Sequence, residues 1–429
     1  MGQFTGLLGV VVLLAIAYAL STNRRMINWR IVATGVALQG IIAFLFLRAP
    51  MFAEAFHLLA QGVTRVISFA DEGIAFLFGS KITDASGPWG FIFAVKVLPI
   101  IIFFASLMTV LYHLGIMQRV VAGVAWALRA SMGITGKEAL SAAANIFMGQ
   151  TEAPLTVKPY IAGMTRSQIM AIMTGGFATI AGSVLAAYVG ILGGDTDEGR
   201  VLFAKHLLTA SVMSAPAGLV MAKMMLPETE NPPPEALDSL LSEKPATRNV
   251  MDAAAAGATD GLQLALNVAA MLVAFVALLA MLNYPLAALS EVPRFAAWRA
   301  EHGVPVLTFQ NMLGYVFTPL AWVMGVAWAD CRAFGSLLGT QVIATEFVAY
   351  LDLGKHIQNG TMSARSAQIA TYALCGFANL PSIAIQIGGL SAMAPSRRGD
   401  FATIAPRAMV AGALACWMTG AIAGVMLAA

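Results

Sequence analysis

Residues 149–155 read Gly149-Gln150-Thr151-Glu152-Ala153-Pro154-Leu155, a polar run inside otherwise apolar sequence. Gly149 permits a break in a helix, and Pro154 fits the first turn of a following helix, where its missing N–H is harmless. This run therefore predicts a hairpin of two half-helices with Glu152 near its tip. Backbone groups at such a tip need partners, so we expect it to face protein or a watery cavity and to form a binding surface.

The composition of the chain excludes an ordinary soluble domain. Of its 429 residues, 59% are hydrophobic and 11% are charged, whereas soluble domains carry about a quarter charged residues. The mean hydropathy is +0.78. Apolar runs of about 20 residues can cross a hydrocarbon core, and residues 4–21, 31–47, 169–192, 262–282 and 408–428 are near that length. We predict an all-α polytopic membrane protein with about eight full spans.

Charge and motif content argue against nucleic-acid binding and against catalysis. The net charge of +3 is small and the basic residues are scattered, which does not suit a nucleic-acid surface. The three cysteines and five histidines show no metal-ligand spacing, so no metal centre is expected among them. Because the sequence shows no nucleophile elbow or phosphate loop, we predict no enzymatic activity and no organic cofactor.

Two loops set the expected orientation in the membrane. Three arginines lie within residues 24–30, after the first span, and three lie within 397–407, before the last span. Short basic loops stay in the cytoplasm. We therefore predict a multi-pass protein of the cell inner (cytoplasmic) membrane, in contact with membrane lipid, with both termini outside the cytoplasm. The hairpin at 149–155 would then enter from the cytoplasmic side.

Motifs recur in the same order about 200 residues apart, which is typical of internal repeats. Met132-Gly133 precedes Thr151-Glu152, and Met324-Gly325 precedes Thr345-Glu346. The sequence GFATIAGS at 176–183 is echoed by GFANLPS at 376–382. An odd number of crossings between the units reverses the second one, so we predict inverted repeats with two re-entrant helical hairpins and two broken transmembrane helices.

These patterns divide the chain into four predicted parts. Each repeat holds an interfacial helix, a hairpin, a broken span and a final span. The parts are scaffold spans with a periplasmic amphipathic segment at 1–114, the first repeat at 115–225, a polar cytoplasmic connector with a scaffold span at 226–283, and the second repeat at 284–429.

Two acidic residues, Glu152 and Glu346, occupy equivalent places in the repeats. A charged carboxylate at the bilayer centre costs about 2.5 to 3.5 kcal/mol on insertion scales, and such acids mark functional sites by default. The alternative, that each is a helix cap or a paired structural acid, stays open. Small hydrogen-bonding residues also lie beside Gly or Pro in the broken spans: Thr179, Ser183, Asn379 and Ser382.

Other polar and special residues receive simpler interpretations. Pro381 cannot donate to the Phe377 carbonyl four residues earlier, and it predicts an unwound stretch in the second broken span. Lys158, Asp260 and Asn267 are explained by snorkelling to the interface or by helix–helix hydrogen bonds.

Together with residues 149–155, several further motifs resemble the concentrative nucleoside transporters. They are VKPY at 157–160, DAA at 252–254, LALNVA at 264–269, EFVAY at 346–350, CGFANL at 375–380 and QIGG at 386–389. The resemblance covers about residues 98–429. It implies a sodium-coupled symporter that concentrates nucleosides by alternating access, and a homotrimer with scaffold and transport domains.

The resemblance also implies a role for individual residues. The nucleobase would meet Gln150, Thr151 and Glu152, with Val184 against it, and the ribose would meet Glu346, Asn379 and Ser382, with Phe377 alongside. The sodium ion would be held by Asn145, Thr179 and the carbonyls of Met148 and Ile180. A ribose diol offers two donors, and one carboxylate can accept both. Thr345 and Pro381 depart from the family pattern beside the ribose contacts.

Three alternatives remain beside the sodium-coupled symporter. A proton-coupled nucleoside symporter is possible because an intramembrane Glu can relay protons. A hairpin transporter of another polar solute, such as an amino acid or dicarboxylate, would call for a cationic partner near tips that instead carry two acids. A passive channel would need a continuous polar pore lining, whereas the sequence shows two separate polar clusters.

Overall fold

The computed structural model describes residues 2–83, 92–194, 196–230, 232, 247–302, 304 and 306–427. Within those ranges the chain is helical and contains no strand. The all-α fold class is therefore confirmed. Most of the predicted polar connector, between residues 226 and 248, lies outside the described residues.

The first half of the chain contains both long apolar helices and short helices. The α-helices are α1 (Gly2–Ala19), α2 (Trp29–Leu47), α3 (Pro50–Phe78), α4 (Ser80–Thr83), α5 (Phe93–Lys96), α6 (Leu98–His113), α7 (Ile116–Met132), α8 (Gly136–Asn145), α9 (Arg166–Ala178), α10 (Gly182–Gly193) and α11 (Asp197–Met225). Arg24–Met26 and Ala153–Gly163 are 3-10 helices.

The helices of the second half repeat that order after one long helix. The α-helices are α12 (Val250–Ser290), α13 (Pro293–Glu301), α14 (Phe309–Val323), α15 (Cys331–Ile343), α16 (Glu346–Gln358), α17 (Ala364–Ala373), α18 (Leu380–Met393) and α19 (Arg398–Met426). Trp328–Asp330 and Pro395–Arg397 are 3-10 helices.

Six segments of the described chain are long and apolar enough to cross a membrane by length and composition, and two shorter apolar helices accompany them. The six are Trp29–Leu47, Ala94–His113, Arg166–Gly193, Asp197–Met225, Val250–Ser290 and Pro395–Met426, and the shorter two are Thr5–Ala19 and Leu380–Met393.

The two predicted repeats contain the same elements in the same order. Gly133 closes α7 with a φ of 70°, and Gly325 follows α14 with a φ of 91°; both lie in the left-handed region that glycine adopts without a Cβ penalty. After each comes a two-part hairpin, then a span broken near its middle, then a long final helix. The two Met-Gly pairs are thus helix stops at matching places in the two units.

The second half of the first hairpin is helical, and it is a 3-10 helix and not an α-helix. Pro159 lies inside that segment. Proline has no N–H for the carbonyl four residues earlier and its ring clashes with that carbonyl, so α-helical geometry is disfavoured. In the second hairpin, α15 and α16 are both α-helices.

The unwound stretch of the second broken span lies before Pro381, at residues 374–379 between α17 and α18. Pro381 itself occupies the first turn of α18, where its missing N–H is harmless. Asn379 caps that helix, because its Oδ1 accepts from the N–H of Ser382 at 2.9 Å. The first span is broken at residues 179–181 between α9 and α10.

The hairpins and broken spans pack into one buried unit, which we call the hairpin body and define as α8 to α11 with α15 to α19. A buried ion pair ties three of its elements together. Lys223 of α11 approaches Glu138 of α8 at 2.5 Å and donates to Ser167 of α9 at 2.9 Å. Breaking such a buried pair leaves an uncompensated charge and is strongly destabilising.

The predicted scaffold at 1–114 contains two different packing arrangements. The first two spans pack on the hairpin body: the N–H of Thr22 donates to the Met225 carbonyl at 3.1 Å, and Gly35 of α2 lies against Val220. By contrast, α6 pairs with α12, and the Ser106 hydroxyl donates to the Ala254 carbonyl at 2.9 Å. Which of these helices form the functional scaffold stays a prediction.

Adding a methyl group at Gly261 of α12 is expected to lower the melting temperature of the purified protein in detergent. A Cβ there would lie 2.8 Å from both Ala105 Cβ and Ile102 Cα of α6. Overpacking costs about 1–3 kcal/mol, which exceeds the gain of up to about 1 kcal/mol in helix propensity from Gly to Ala.

Gly40→Ala is the matched control for Gly261→Ala, because a Cβ at Gly40 of α2 meets nothing within 4 Å. We expect this control to be neutral or slightly stabilising. Equal melting temperatures for the two variants would contradict the close contact between α6 and α12.

Candidate binding site

The tip of the first hairpin rests on the break in the first broken span. The N–H of Gly182 donates to the Phe147 carbonyl at 3.0 Å, and the Ser211 hydroxyl of α11 donates to the Ile146 carbonyl at 2.7 Å. Because non-helical backbone at membrane depth must find protein partners or water, these bonds fix where the tip can lie.

The two broken spans meet each other at their breaks. The N–H of Phe377 donates to the Thr179 carbonyl at 3.3 Å. Gly376 permits this approach, because a Cβ there would lie 2.6 Å from the Phe177 carbonyl oxygen. Cys416 of α19 packs against both breaks, with its thiol 3.5 Å from the Ala178 carbonyl and 3.4 Å from the Cys375 carbonyl.

Side-chain bonds join the first tip to the second broken span. Gln150 Nε2 donates to the Ser382 hydroxyl at 3.2 Å, and Gln386 Nε2 donates to Gln150 Oε1 at 3.1 Å. Gln386 also donates to the Met173 carbonyl at 3.1 Å. Gln386 was not singled out as a site residue from the sequence, although it begins the QIGG motif, and it fixes the orientation of the Gln150 amide.

The carboxylate of Glu346 is buried and both of its oxygens accept a hydrogen bond. Tyr188 OH donates to Oε1 at 2.8 Å, and Asn379 Nδ2 donates to Oε2 at 2.8 Å. Glu346 is also in the first turn of α16, where the positive end of the helix dipole favours an anion. These interactions offset the desolvation of a buried acid.

Thr345 and Glu152 complete the polar rim of the site. The Thr345 hydroxyl accepts from the Val348 N–H at 3.3 Å and caps α16, so this departure from the family pattern has a structural role. The Thr151 hydroxyl donates to Glu152 Oε1 at 3.0 Å. Glu152 is exposed to the cavity, whereas Glu346 is almost fully buried.

A cavity of about 690 Å³ opens where these elements converge. Every residue that the family motifs imply for the nucleoside lines it, although their roles stay predictions. The residues are Gln150, Thr151, Glu152, Val184, Glu346, Phe377, Asn379 and Ser382.

The opposite wall of the cavity is α12, and sequence reasoning missed it. Asp260, Gln263 and Asn267 line the cavity from this helix, and Gln263 Nε2 donates to Asn267 Oδ1 at 3.1 Å. Residues spaced i, i+3 and i+7 share one face of a helix, so their periodicity was a signal in the sequence. Only the tertiary structure shows that this face meets the hairpin tips.

The residues that the resemblance implies for sodium lie in the first hairpin and at the break of the first broken span. Asn145 is fully buried, its Nδ2 donates to the Ser141 carbonyl at 3.0 Å, and its Oδ1 has no hydrogen-bond partner among the described residues. The Thr179 hydroxyl donates to the Gly175 carbonyl at 2.9 Å. Met148 and Ile180 lie in non-helical backbone at the tip and at the break. A buried unpartnered oxygen such as Asn145 Oδ1 and carbonyls outside helical backbone are the kind of oxygen ligands that a hard cation takes.

Three family models match the chain. The model described as the C-terminus of the Na+ dependent nucleoside transporter matches residues 206–424, and the model of its N-terminus matches 8–81. A model described as Gate, nucleoside recognition, matches residues 94–195.

Curated relatives are similar over nearly the whole chain. An uncharacterized transporter of Haemophilus influenzae is 46% identical over 431 residues, covering 100% of this chain and 98% of the relative. Solute carrier family 28 member 3 of Mus musculus is 41% identical over 431 residues, covering 97% of this chain and 58% of that longer protein.

Solved structures of a protein called CNTnw are also similar. Its inward-facing substrate-bound state gives a TM-score of 0.89 at 43% identity, covering 99% of this chain and 98% of that one. A CNTnw variant in an outward-facing state gives a TM-score of 0.88 at 42% identity, with the same coverage of both chains.

Thr179→Val is expected to weaken sodium binding by about tenfold or more, because a methyl group would replace the hydroxyl that the resemblance implies as a sodium ligand. Isothermal calorimetry of the purified protein with sodium chloride, at constant ionic strength, measures the effect. The control is Thr419→Val, since Thr419 is also fully buried and its hydroxyl makes the same kind of bond, to the Ala415 carbonyl at 2.9 Å. Equal sodium affinity in the two variants would remove Thr179 from the predicted site.

Proposed function

The chain belongs to the concentrative nucleoside transporter family, whose members are membrane transporters and not enzymes, and we propose that it is a sodium-coupled symporter that concentrates nucleosides. One observation carries this proposal: the Glu346 carboxylate, held at both oxygens by Tyr188 and Asn379, faces a cavity lined by the nucleoside motif residues. A cavity of this size accommodates a small polar organic solute.

The two hairpin tips would recognise different parts of the nucleoside. Glu346 would accept hydrogen bonds from ribose hydroxyls, with Asn379 and Ser382 beside it and Phe377 alongside. Gln150, Thr151 and Glu152 would address the polar edge of the base, while Val184 packs against its face. Amide and carboxylate groups can pair with both donors and acceptors on a base edge, which supports recognition of a nucleobase at this tip.

Sodium coupling would act through the first hairpin. Asn145 ends α8 and lies five residues before Gln150 in the sequence, so a cation on Asn145 Oδ1 would order the tip that contacts the base. Energetic coupling between two sites is reciprocal, so sodium must tighten nucleoside binding by the same factor that nucleoside tightens sodium binding.

Alternating access would move the hairpin body against the pair formed by α6 and α12. CNTnw, to which this chain is similar, has solved structures in inward-facing, intermediate and outward-facing states. The cavity lies between the hairpin tips and α12, so such a movement would carry the site past a fixed wall. Assembly as a homotrimer in the cell inner membrane, with both termini outside, belongs to the same proposal.

Uptake into proteoliposomes tests the proposal directly. We expect labelled uridine or adenosine to accumulate when a sodium gradient points inward, and to equilibrate without accumulation when sodium is replaced by choline. Accumulation that depends on a proton gradient and not on sodium would show that the protein is a proton-coupled nucleoside symporter. Absence of uptake of both nucleosides would overturn the proposed substrate.

Glu346→Gln is expected to abolish sodium-driven uridine uptake while the protein still folds. Each lost charge-assisted hydrogen bond costs about 1.5 to 3 kcal/mol, which is roughly a tenfold to hundredfold loss of affinity per bond. Glu54→Gln is the control, because Glu54 lies exposed on α3. Wild-type uptake by the Glu346 variant would rule out the ribose assignment.

If the hairpin body moves as one unit against α12, distances within the body stay constant and distances from the body to α12 change between the inward-facing and outward-facing states. The native cysteines Cys331, Cys375 and Cys416 are buried, so introduced surface cysteines can be spin-labelled selectively. Labels at Lys158 and Lys355, one on each hairpin, should keep their separation with and without sodium and nucleoside. The distance from Lys158 to Val273 of α12 should change. Equal changes in both distances would mean that the hairpins move independently.

A further inference from the structure

Tyr188 contacts the candidate site from behind, and the family motifs assign it no role. Its side chain on α10 is fully buried, and its hydroxyl donates to Glu346 Oε1 at 2.8 Å. Tyr188 comes from the broken span of the first repeat, whereas Glu346 begins the second half of the second hairpin. The bond therefore joins the two repeats at the carboxylate that faces the cavity.

Aromatic packing holds the Tyr188 ring in one place. The ring stacks on Tyr350 with centroids 4.2 Å apart and an interplanar angle of 28°, and it contacts Phe347 at 5.2 Å in a tilted arrangement. The Tyr350 hydroxyl is itself fixed, since it donates to the Thr371 carbonyl at 2.7 Å. A ring packed on two neighbours loses little further freedom when its hydroxyl bonds, so that hydroxyl is a rigid donor.

The two donors on Glu346 determine which of its lone pairs stay available. A carboxylate oxygen has about two acceptor positions, and Tyr188 and Asn379 occupy one on each oxygen. One position on each oxygen remains, which matches the two neighbouring hydroxyls of a ribose ring. Removing one donor would free the carboxylate to rotate. The two Glu346 oxygens would then be less well placed to accept from both ribose hydroxyls at once.

We propose that Tyr188 is a positioning residue that orients the Glu346 carboxylate toward the 2′- and 3′-hydroxyls and thereby sets the preference for ribonucleosides over nucleosides that lack them. This inference rests on the proposed function. Tyr188 acts through Glu346 and makes no contact with the solute. Its effect therefore appears in the discrimination between sugars and is absent for a solute with no 2′ or 3′ hydroxyl.

The test compares Tyr188→Phe with Tyr350→Phe, each of which removes one hydroxyl from the same aromatic stack. Binding of uridine and of 2′,3′-dideoxyuridine is measured by calorimetry with the full-length protein in detergent and saturating sodium. We expect Tyr188→Phe to weaken uridine binding by about tenfold, the loss when a misoriented Glu346 carboxylate no longer accepts one ribose hydroxyl, and to change dideoxyuridine binding by less than about twofold. Tyr350→Phe should leave the ratio of the two affinities as in the wild type.

Melting temperatures of both variants separate positioning from a general loss of structure. If Tyr188→Phe weakens both solutes by the same factor, or neither, the positioning role is overturned while the proposed function stands. If Tyr350→Phe lowers the ratio as much as Tyr188→Phe does, the stack and not the Tyr188 hydroxyl is responsible, and the inference is also overturned. A wild-type protein that binds neither solute overturns the proposed function and this inference together.

Discussion

Backbone groups that leave a helix inside a membrane must be satisfied by protein or by water in a cavity, and the rest of the structure depends on this constraint. The chain leaves helical geometry near residues 146–152, 179–181, 344–345 and 374–379. Bonds between these segments satisfy part of the requirement, as from Gly182 to Phe147 and from Phe377 to Thr179. Four interruptions that would each be costly alone are therefore gathered in one region of the molecule, and their side chains line one cavity.

The gathered segments also allow charge to be buried. Glu346 begins α16 and accepts bonds from Tyr188 and Asn379, which belong to different repeats. Neither repeat alone supplies both donors. Tyr188 and Asn379 come together only when the breaks of the two spans meet. The burial of the Glu346 carboxylate and the packing of the two repeats thus depend on each other.

Helix α12 lies across the cavity from the hairpin body. The hairpin body is mostly buried, whereas α12 keeps much of its surface exposed and pairs closely with α6 through Gly257 and Gly261. A solute in the cavity would touch both the hairpin tips and the polar face of α12. Such a junction permits the tips to change position relative to the wall, provided that the bonds within the body stay intact.

The sequence by itself determined the class of protein, the two hairpins, the two breaks and the acids at equivalent places, because hydropathy, Gly and Pro positions and repeated motifs are local signals. It left smaller features undecided: the second half of the first hairpin is a 3-10 helix around Pro159, and the unwound stretch lies just before Pro381. Only the tertiary structure decided that Tyr188 holds Glu346 and that Gln386 holds Gln150. Those contacts join residues 158 and 236 positions apart, and no periodicity in the chain encodes which distant side chains will meet when two repeats fold against each other.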